Sequence, residues 1–249
     1  MNEKSLKDIF FSSLAEFSST QPPYFQESAI KGMVSAKRIP ITEGTMSQYL
    51  LEAVKKGIIH DAGRGWYSSL ASPFDLDIKP VKRLISLLVK GFPLVEFLCW
   101  STEQVNPFAQ HLMSQFLFFV YVDSDSIAPV SEYLRDRGYS VYADPGKVVL
   151  NDMFRIVDKT VLIRKTITKA PTREDHAAPI EKILVDLVWE SQKVPFLDQT
   201  EAHTICDNAT VSGRVNIAEL LGHAKRRTLD FDWLMSINQV QKNNKIGLG

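Results

Sequence analysis

Two aspartates separated by one serine, Asp123 and Asp125, follow an apolar run that ends at Val122. Carboxylates on one loop at the end of a strand can hold Mg²⁺ for nucleotidyl transfer, because hard cations prefer oxygen ligands. A nucleotidyltransferase would also need a Gly-Ser element upstream, and the sequence has none at a suitable spacing. The same residue types cap ordinary helices, so Asp125 or Ser126 is expected to cap the helix that follows. A metal-dependent nucleotidyltransferase-like enzyme remains the alternative hypothesis.

Other residues that carry out chemistry in proteins are scattered along the chain. Cys99 and Cys206 lie far apart without zinc-ligand spacing and are expected to be buried thiols. The sequence contains no HExxH, GxSxG, Walker A or GxGxxG motif. We therefore expect no catalytic residue, no cofactor and no metal site. Five histidines are expected at the surface or at helix caps: His60, His111, His176, His203 and His223.

Positive charge is concentrated in part of the first quarter of the chain. Basic residues form a turn at Lys37-Arg38, continue at Lys55-Lys56, and recur at Arg64 between two glycines. Such residues can hold phosphates on either side of a helix that lies in the major groove of DNA. Glu43, Glu52 and Asp61 offset part of this charge, so the local excess is small.

The elements around these residues have the order helix, helix, helix, hairpin. Apolar spacing predicts helices at 6–17, 27–36 and 43–56. Two short β-rich stretches, Ile58-Ile59-His60 and Trp66-Tyr67-Ser68, are joined by the glycine-containing loop 61–65. This order is typical of a winged helix-turn-helix, which we place in a domain of residues 1–72. A packing module that contacts protein instead of DNA is the alternative.

The rest of the chain predicts a second domain, residues 73–249. Helix and strand patterns alternate through it: a helix from Pro80, a strand 92–100, a short helix 107–113, a central strand 116–122, a helix 127–137, and strands at 139–142, 148–150 and 161–164. Helical patterns then begin near Pro179, Ile205 and Ile217. The predicted fold class is α+β or α/β, with an N-terminal winged helix-turn-helix followed by a mixed α/β domain and C-terminal helices.

Composition limits the function classes. The 249 residues contain 29 Lys and Arg against 29 Asp and Glu, which excludes a uniformly basic nucleic-acid coat. The first residues lack a signal-peptide pattern, and the longest apolar run is too short to cross a bilayer. A cytoplasmic protein without a membrane partner is expected. A second group of basic residues, from Arg155 to Arg173 and at Lys225-Arg226-Arg227, reflects helix dipoles or else meets an acidic partner.

Several segments together resemble AbiEi-like antitoxins of abortive-infection type IV toxin-antitoxin systems. They are Gly65-Trp66-Tyr67-Ser68, Trp100-Ser101-Thr102, the helix from Ala178 to Leu187, and Leu220-Leu221-Gly222-His223-Ala224-Lys225-Arg226-Arg227. The resemblance implies a transcriptional autorepressor that binds inverted repeats in its own promoter. Because the winged domain has little excess positive charge, we expect cooperative binding to repeated half-sites by a homo-oligomer. It also implies a cognate nucleotidyltransferase-like toxin as a partner.

The resemblance transfers a set of DNA-contacting residues to this chain. Within it, Gln48 and its polar neighbours would contact base edges, while the basic residues would hold phosphates. The helix that carries Glu181, Lys182 and Asp186 also matches the family. Glu181 and Lys182 are expected to pair with basic residues of the late strand or to cap nearby turns. The transferred set is Lys37, Arg38, Thr45, Ser47, Gln48, Lys55 and Arg64.

Overall fold

A computed structural model describes residues 5–231 of the chain. The fold is mixed α+β. Contacts divide the described residues into two compact units. The first contains residues 5–74, 210–222 and 230–231, and the second contains 75–209 and 223–229. The domains predicted at 1–72 and 73–249 are segments expected to fold independently. A division by contacts does not test independent folding, so the domain boundaries stay a prediction.

Three helices and a small antiparallel sheet form most of the first unit. Strand β1 pairs with β3, and β3 pairs with β2, which gives the order β1-β3-β2. The register places Tyr24 and His60 on either side of Ser68. In chain order the elements are α1 (Leu6–Thr20), β1 (Tyr24–Gln26), α2 (Glu27–Ala36), α3 (Glu43–Lys55), β2 (His60–Asp61) and β3 (Trp66–Ser68).

Helix caps and one apolar core hold these elements. Ser5 forms a capping box with Asp8 at the start of α1, and the Thr42 side chain caps α3. Each helix turns its apolar face inward, because apolar residues three or four apart lie on one side of a helix. The fully or nearly buried core residues include Phe10, Leu14, Ile30, Met46, Leu50 and Ala53.

The sequence predicted most of this unit. The bounds of α2 and the strand at Trp66–Ser68 are confirmed, and α3 ends one residue earlier than predicted. Helix α1 continues to Thr20, close to the proline pair that stops it. Strand β1 was not predicted, because a three-residue strand directly before a helix has no alternation long enough to recognise.

The second unit is built on a four-stranded sheet. Strands β5, β7 and β6 are parallel, β4 is antiparallel to β5, and the order is β4-β5-β7-β6. The central strand predicted at 116–122 is confirmed as β5. The elements are α4 (Lys79–Gly91), β4 (Phe97–Ser101), β5 (Leu117–Val122), α5 (Ile127–Arg135), β6 (Ser140–Ala143), α6 (Lys147–Asp152), β7 (Thr160–Lys165), α7 (Ile180–Ser191), α8 (Gln199–Ser212) and α9 (Ile217–Arg226). The division between the units falls within α8 and within α9.

Three predictions for this unit were wrong. The strand predicted at 92–100 begins only at Phe97, because the amide of Val95 donates to the carbonyl of Phe92 (3.2 Å) in a turn that precedes it. The strand predicted at 148–150 is the helix α6, in which the amide of Leu150 donates to the carbonyl of Gly146 (3.1 Å). A run of three apolar residues fits one buried helical turn as well as a strand, and Leu150 is buried. The helix predicted at 107–113 is only a 3-10 turn at Asn106–Phe108.

Cys99 and Cys206 are both buried, as predicted, and residues 5–231 contain no disulfide. Within residues 5–231, none of the helices combines the length and the apolar character that crossing a membrane requires.

Candidate nucleic-acid interface

Helix α3 has a polar outer face and an apolar inner face. The inner side chains of Met46, Leu50 and Ala53 are buried. Residues three and four apart share one side of a helix, so the outer residues form a continuous strip. Leu51 is the apolar member of this strip and is 67% exposed. The exposed side chains of the strip belong to Ser47, Gln48, Leu51 and Lys55.

Hydrogen bonds distinguish the polar residues of α3 from one another. The Thr42 hydroxyl accepts the amide of Thr45 (3.2 Å) and lies 2.9 Å from the Thr45 hydroxyl. The Ser47 hydroxyl donates to the carbonyl of Glu43 (3.0 Å). The Gln48 carboxamide forms no hydrogen bond with any other described residue. Gln48 is therefore the side chain of α3 best placed to offer both a donor and an acceptor to a ligand.

The turn between α2 and α3 exposes two basic residues in different states. The Lys37 ammonium donates to the carboxylate of Glu16, and this contact lowers the pKa of Glu16. Arg38 has a left-handed backbone with φ of 51°, and its amide donates to the carbonyl of Ser35 (3.1 Å) at the end of α2. Its guanidinium forms no ion pair within the described chain. Arg38 is therefore the freer cation of the turn.

The hairpin loop carries Arg64 between two glycines. Gly63 and Gly65 have φ of 99° and 74°, which L-residues rarely adopt. The amide of Trp66 donates to the carbonyl of Gly63 (2.9 Å), and the amide of Ala62 donates to the carbonyl of Trp66 (3.1 Å). These two bonds close the loop and leave the Arg64 side chain exposed at its tip.

Ion pairs neutralise three further lysines of the first three helices and their caps, Lys7, Lys31 and Lys56. Glu52 contacts both Lys7 (2.6 Å) and Lys56 (3.2 Å). Lys31 lies 3.2 Å from the carboxylate of Glu43 and 3.5 Å from that of Glu27. Within residues 5–74, the cations that neither pair with a carboxylate nor take part in a hydrogen bond through the side chain are Arg38, Lys55 and Arg64.

The structure thus sorts the seven residues predicted to contact DNA. Six of them are exposed, and Thr45 is partly buried. The polar groups of three of them form hydrogen bonds with other residues of the chain: Lys37, Thr45 and Ser47. The remaining four have polar groups that are free among the described residues: Arg38, Gln48, Lys55 and Arg64.

The second candidate for chemistry, Asp123 and Asp125, lies in the segment that follows β5. Both residues are exposed, and Asp123 precedes a 3-10 turn in which its carbonyl accepts the amide of Ser126 (3.0 Å). Ser126 occupies the N-cap of α5 without a side-chain cap bond. Asp123 also lines a cavity of about 300 Å³ with His176 and Arg173. Across residues 5–231 the side chains do not bring together three groups that could ligate a metal.

The sequence did not predict a buried group of charges in the second unit. Asp186 of α7 is fully buried and contacts Lys182 (2.5 Å), His223 (3.1 Å) and Arg227 (2.8 Å). Burial alone would raise the pKa of Asp186, but its three basic partners outweigh burial and hold the pKa well below its usual range. We call these four residues the Asp186 cluster.

A buried ion pair joins the same helix to strand β7. The guanidinium of Arg164 donates to both carboxylate oxygens of Glu190, at 3.0 and 2.9 Å. Burial raises the pKa of Glu190, and the contact with Arg164 opposes that change. Arg164 belongs to the basic group for which the sequence left open helix dipoles or an acidic partner, and it is buried on β7.

Two expectations about these residues, for His223 and Lys182, were wrong, and Arg227 has an acidic partner within the chain. His223 is fully buried instead of lying at the surface or a cap, and burial lowers its pKa. Lys182 pairs with Asp186 one turn along its own helix, not with the late strand. Arg227 donates to Asp186 (2.9 Å), so it serves more than the helix dipole. Charged residues at four-residue spacing inside an apolar helix were the available signal.

Comparison with protein-family models identifies a family for this chain. The model of a family of unknown function, DUF6577, matches residues 45–243. The matched range begins inside α3 and includes the hairpin and the described part of the second unit, while α1, β1 and α2 precede it. No curated protein matches the chain.

Proposed function

The chain belongs to DUF6577, a family of unknown function, and we propose that it is a DNA-binding regulator of transcription. The observation that carries this proposal is the order and pairing of elements in the first unit. Helices α1, α2 and α3, with β1 after α1 and a terminal hairpin, have the order of a winged helix-turn-helix. The antiparallel order β1-β3-β2 fits the same plan.

In this proposal α3 is the recognition helix. Its 13 residues span about 20 Å, a length that suits the major groove. The free carboxamide of Gln48 can form two hydrogen bonds with one adenine: it donates to N7 and accepts from N6. This bidentate contact is the usual one for glutamine. Leu51 supplies an apolar group for a thymine methyl, and its 67% exposure favours a ligand surface over a core position.

Three cations would hold the phosphate backbone on either side of α3. Arg38 lies at the turn before the helix, Lys55 at its end, and Arg64 at the tip of the hairpin. Because they are unpaired within residues 5–74, they can contact phosphates without first breaking an ion pair. Lys37 would have to leave Glu16 first, so its contribution should be smaller.

Three free cations are few for a tight complex. Each phosphate contact releases counterions, and affinity therefore grows with the number of contacts. Two copies on an inverted repeat would double the contacts and supply the missing affinity. We therefore propose that the protein binds as a homo-oligomer to repeated half-sites.

Autorepression and the antitoxin role stay predictions that rest on the resemblance to AbiEi-like antitoxins. They make the DNA upstream of the chain's own gene the first sequence to test. A nucleotidyltransferase-like protein encoded beside it is the first partner to test.

The test is a fluorescence anisotropy titration of two labelled duplexes, the upstream DNA and a scrambled duplex of equal length. We expect the wild type to bind the upstream duplex more tightly. The variant R38A/K55A/R64A should bind both duplexes at least about tenfold more weakly, because it lacks the free phosphate contacts.

The matched control, K82A/K90A/K165A, removes three exposed lysines from the second unit and should bind like the wild type. Absence of binding at low salt would reject the proposal. Equal losses in both triple variants would show that binding does not use α3 and the hairpin. Capture of a stable protein partner by a chain that binds no DNA would favour the interaction module.

A further inference from the structure

A segment distant in sequence packs along the hairpin within the first unit. We call Gly213–Ala218 the docking segment. The amide of Arg214 donates to the carbonyl of Ser72 (2.9 Å), and the amide of Phe74 donates to the carbonyl of Arg214 (2.9 Å). The Arg214 guanidinium also donates to the carbonyls of Leu70 (2.8 Å) and Ala71 (2.7 Å). These bonds fix the docking segment to the chain that follows β3.

A tyrosine of β1 holds the same segment from inside the unit. The buried hydroxyl of Tyr24 lies within hydrogen-bond distance of the carbonyls of Thr210 (2.9 Å) and Gly213 (3.1 Å), to which it can donate. It also accepts the amide of Val215 (2.9 Å). Since β1 pairs with β3, the docking segment is tied to the sheet that carries the hairpin.

The far end of the docking segment reaches the tip of the hairpin. The amide of Ala218 donates to the carbonyl of Ala62 (3.3 Å). A Cβ added to Gly63 would lie 2.1 Å from the Asn216 carboxamide oxygen and 2.6 Å from the Ala218 methyl group. That oxygen also accepts the amide of Glu219 (3.1 Å), so Asn216 is held at the start of α9. The contact leaves no space for a side chain at position 63.

We infer that the docking segment positions the hairpin tip for phosphate contact by Arg64, through the close approach of Asn216 and Ala218 to Gly63. This inference rests on the proposed function. A loop that is already ordered loses less conformational entropy when it binds. The contact between its cation and a phosphate therefore adds more to affinity than the same contact from a disordered loop. Asn216 and Ala218 are positioning residues in this account, and Arg64 makes the contact.

The two loop glycines provide a matched pair of variants. Gly63 and Gly65 both have positive φ, so alanine strains the backbone at either position. A Cβ at Gly65 meets nothing within 4 Å, whereas at Gly63 it meets the docking segment. G63A therefore removes the docking contact, and G65A controls for backbone strain.

The experiment is a double-mutant cycle with R64A, read as the Kd for the upstream duplex. We expect R64A to weaken binding about tenfold in the wild type and in G65A, but less than about threefold in G63A. An equal effect of R64A in all three backgrounds would overturn the inference. A218V, which enlarges the other side of the contact, should behave like G63A and serves as the second variant if G63A does not fold.

Amide hydrogen exchange gives a readout that needs no DNA. G63A should speed exchange in both residues 60–68 and residues 213–220, whereas G65A should speed it only in the first segment. Unchanged exchange at 213–220 in G63A and A218V would reject the docking contact. If the wild type binds no DNA, the proposed function fails and the positioning role fails with it, while the exchange result still decides whether the contact holds the loop.

Discussion

At the scale of single residues, the charges of this protein fall into two groups with different uses. Asp186 and its partners are buried in the second unit, where removing one charge leaves the others without compensation. Arg38, Lys55 and Arg64 are exposed and unpaired among residues 5–74, where they cost little and remain available to a ligand. Burial, more than residue type, separates these roles.

The Asp186 cluster predicts a large loss of stability in D186N. Asparagine has nearly the same shape but leaves the buried Lys182 and Arg227 without the carboxylate that both contact. We expect the free energy of unfolding to fall by about 3–5 kcal/mol, measured by urea denaturation. The control D123N changes an exposed carboxylate in the same way and should shift it by less than about 0.5 kcal/mol. Equal effects of the two variants would contradict a stabilising role for the cluster.

The same carboxylate gives the sign of a pH dependence. Because the folded-state pKa of Asp186 is lowered, its stabilisation is complete above the unfolded pKa of about 3.9 and is lost as the pH falls toward the folded value. D186N lacks this titration. Its unfolding free energy should therefore fall less than that of the wild type between pH 5 and pH 3.

Replacement of Arg38 by glycine is predicted to increase the stability of the fold and to weaken DNA binding. A left-handed residue at the end of a helix is usually glycine, and a side chain there costs on the order of 1 kcal/mol. R38G should therefore raise the unfolding free energy while it weakens DNA binding. Thermal denaturation and anisotropy titration measure the two effects. A less stable R38G would contradict the backbone cost assigned to Arg38. An R38G that binds DNA like the wild type would contradict a ligand-contacting role for its side chain.

At the scale of elements, the sequence predicted helices better than short strands. Helix α2 was predicted at its observed bounds because four apolar residues in ten keep to one face. Strand β1 and helix α6 were not, since three to six residues cannot establish a period. The docking segment could not be predicted at all, because its contacts with Tyr24 and Gly63 join residues far apart in sequence.

Alanine substitutions at two exposed residues of α3, Gln48 and Lys55, are predicted to change DNA binding in different ways. Q48A should weaken binding to the upstream duplex by about 1–3 kcal/mol and leave binding to scrambled DNA nearly unchanged, because base contacts carry specificity. K55A should weaken binding to both duplexes alike, because phosphate contacts carry none. Competition titrations with the two duplexes separate these cases. The opposite pattern would reverse the assigned roles.

At the scale of the whole molecule, equal numbers of acidic and basic residues limit the contribution that net charge is expected to make to DNA binding. The 29 cations and 29 anions are unevenly distributed, and ion pairs leave few cations free around α3. Net charge could therefore be read from the sequence, whereas the identity of the free cations required the structure. The proposed DNA binding therefore depends on a small number of contacts and not on the net charge of the molecule.

This distribution predicts a shallow salt dependence. With three phosphate contacts for each bound copy, the slope of log K against log salt should be about −3 for one copy and about −5 for two. R64A should reduce its magnitude by about one for each copy. Titrations at four salt concentrations measure the slope. A slope that R64A does not change would contradict phosphate contact by the hairpin.

The central claim, that α3 contacts DNA, is tested most directly by photo-crosslinking from inside the helix. A benzophenone amino acid replaces Gln48 in one variant and Ser86, an exposed residue of α4, in the control. After irradiation with the upstream duplex, we expect a covalent protein–DNA adduct from position 48 and none from position 86. No adduct from position 48, or equal yields from both positions, would contradict the claim.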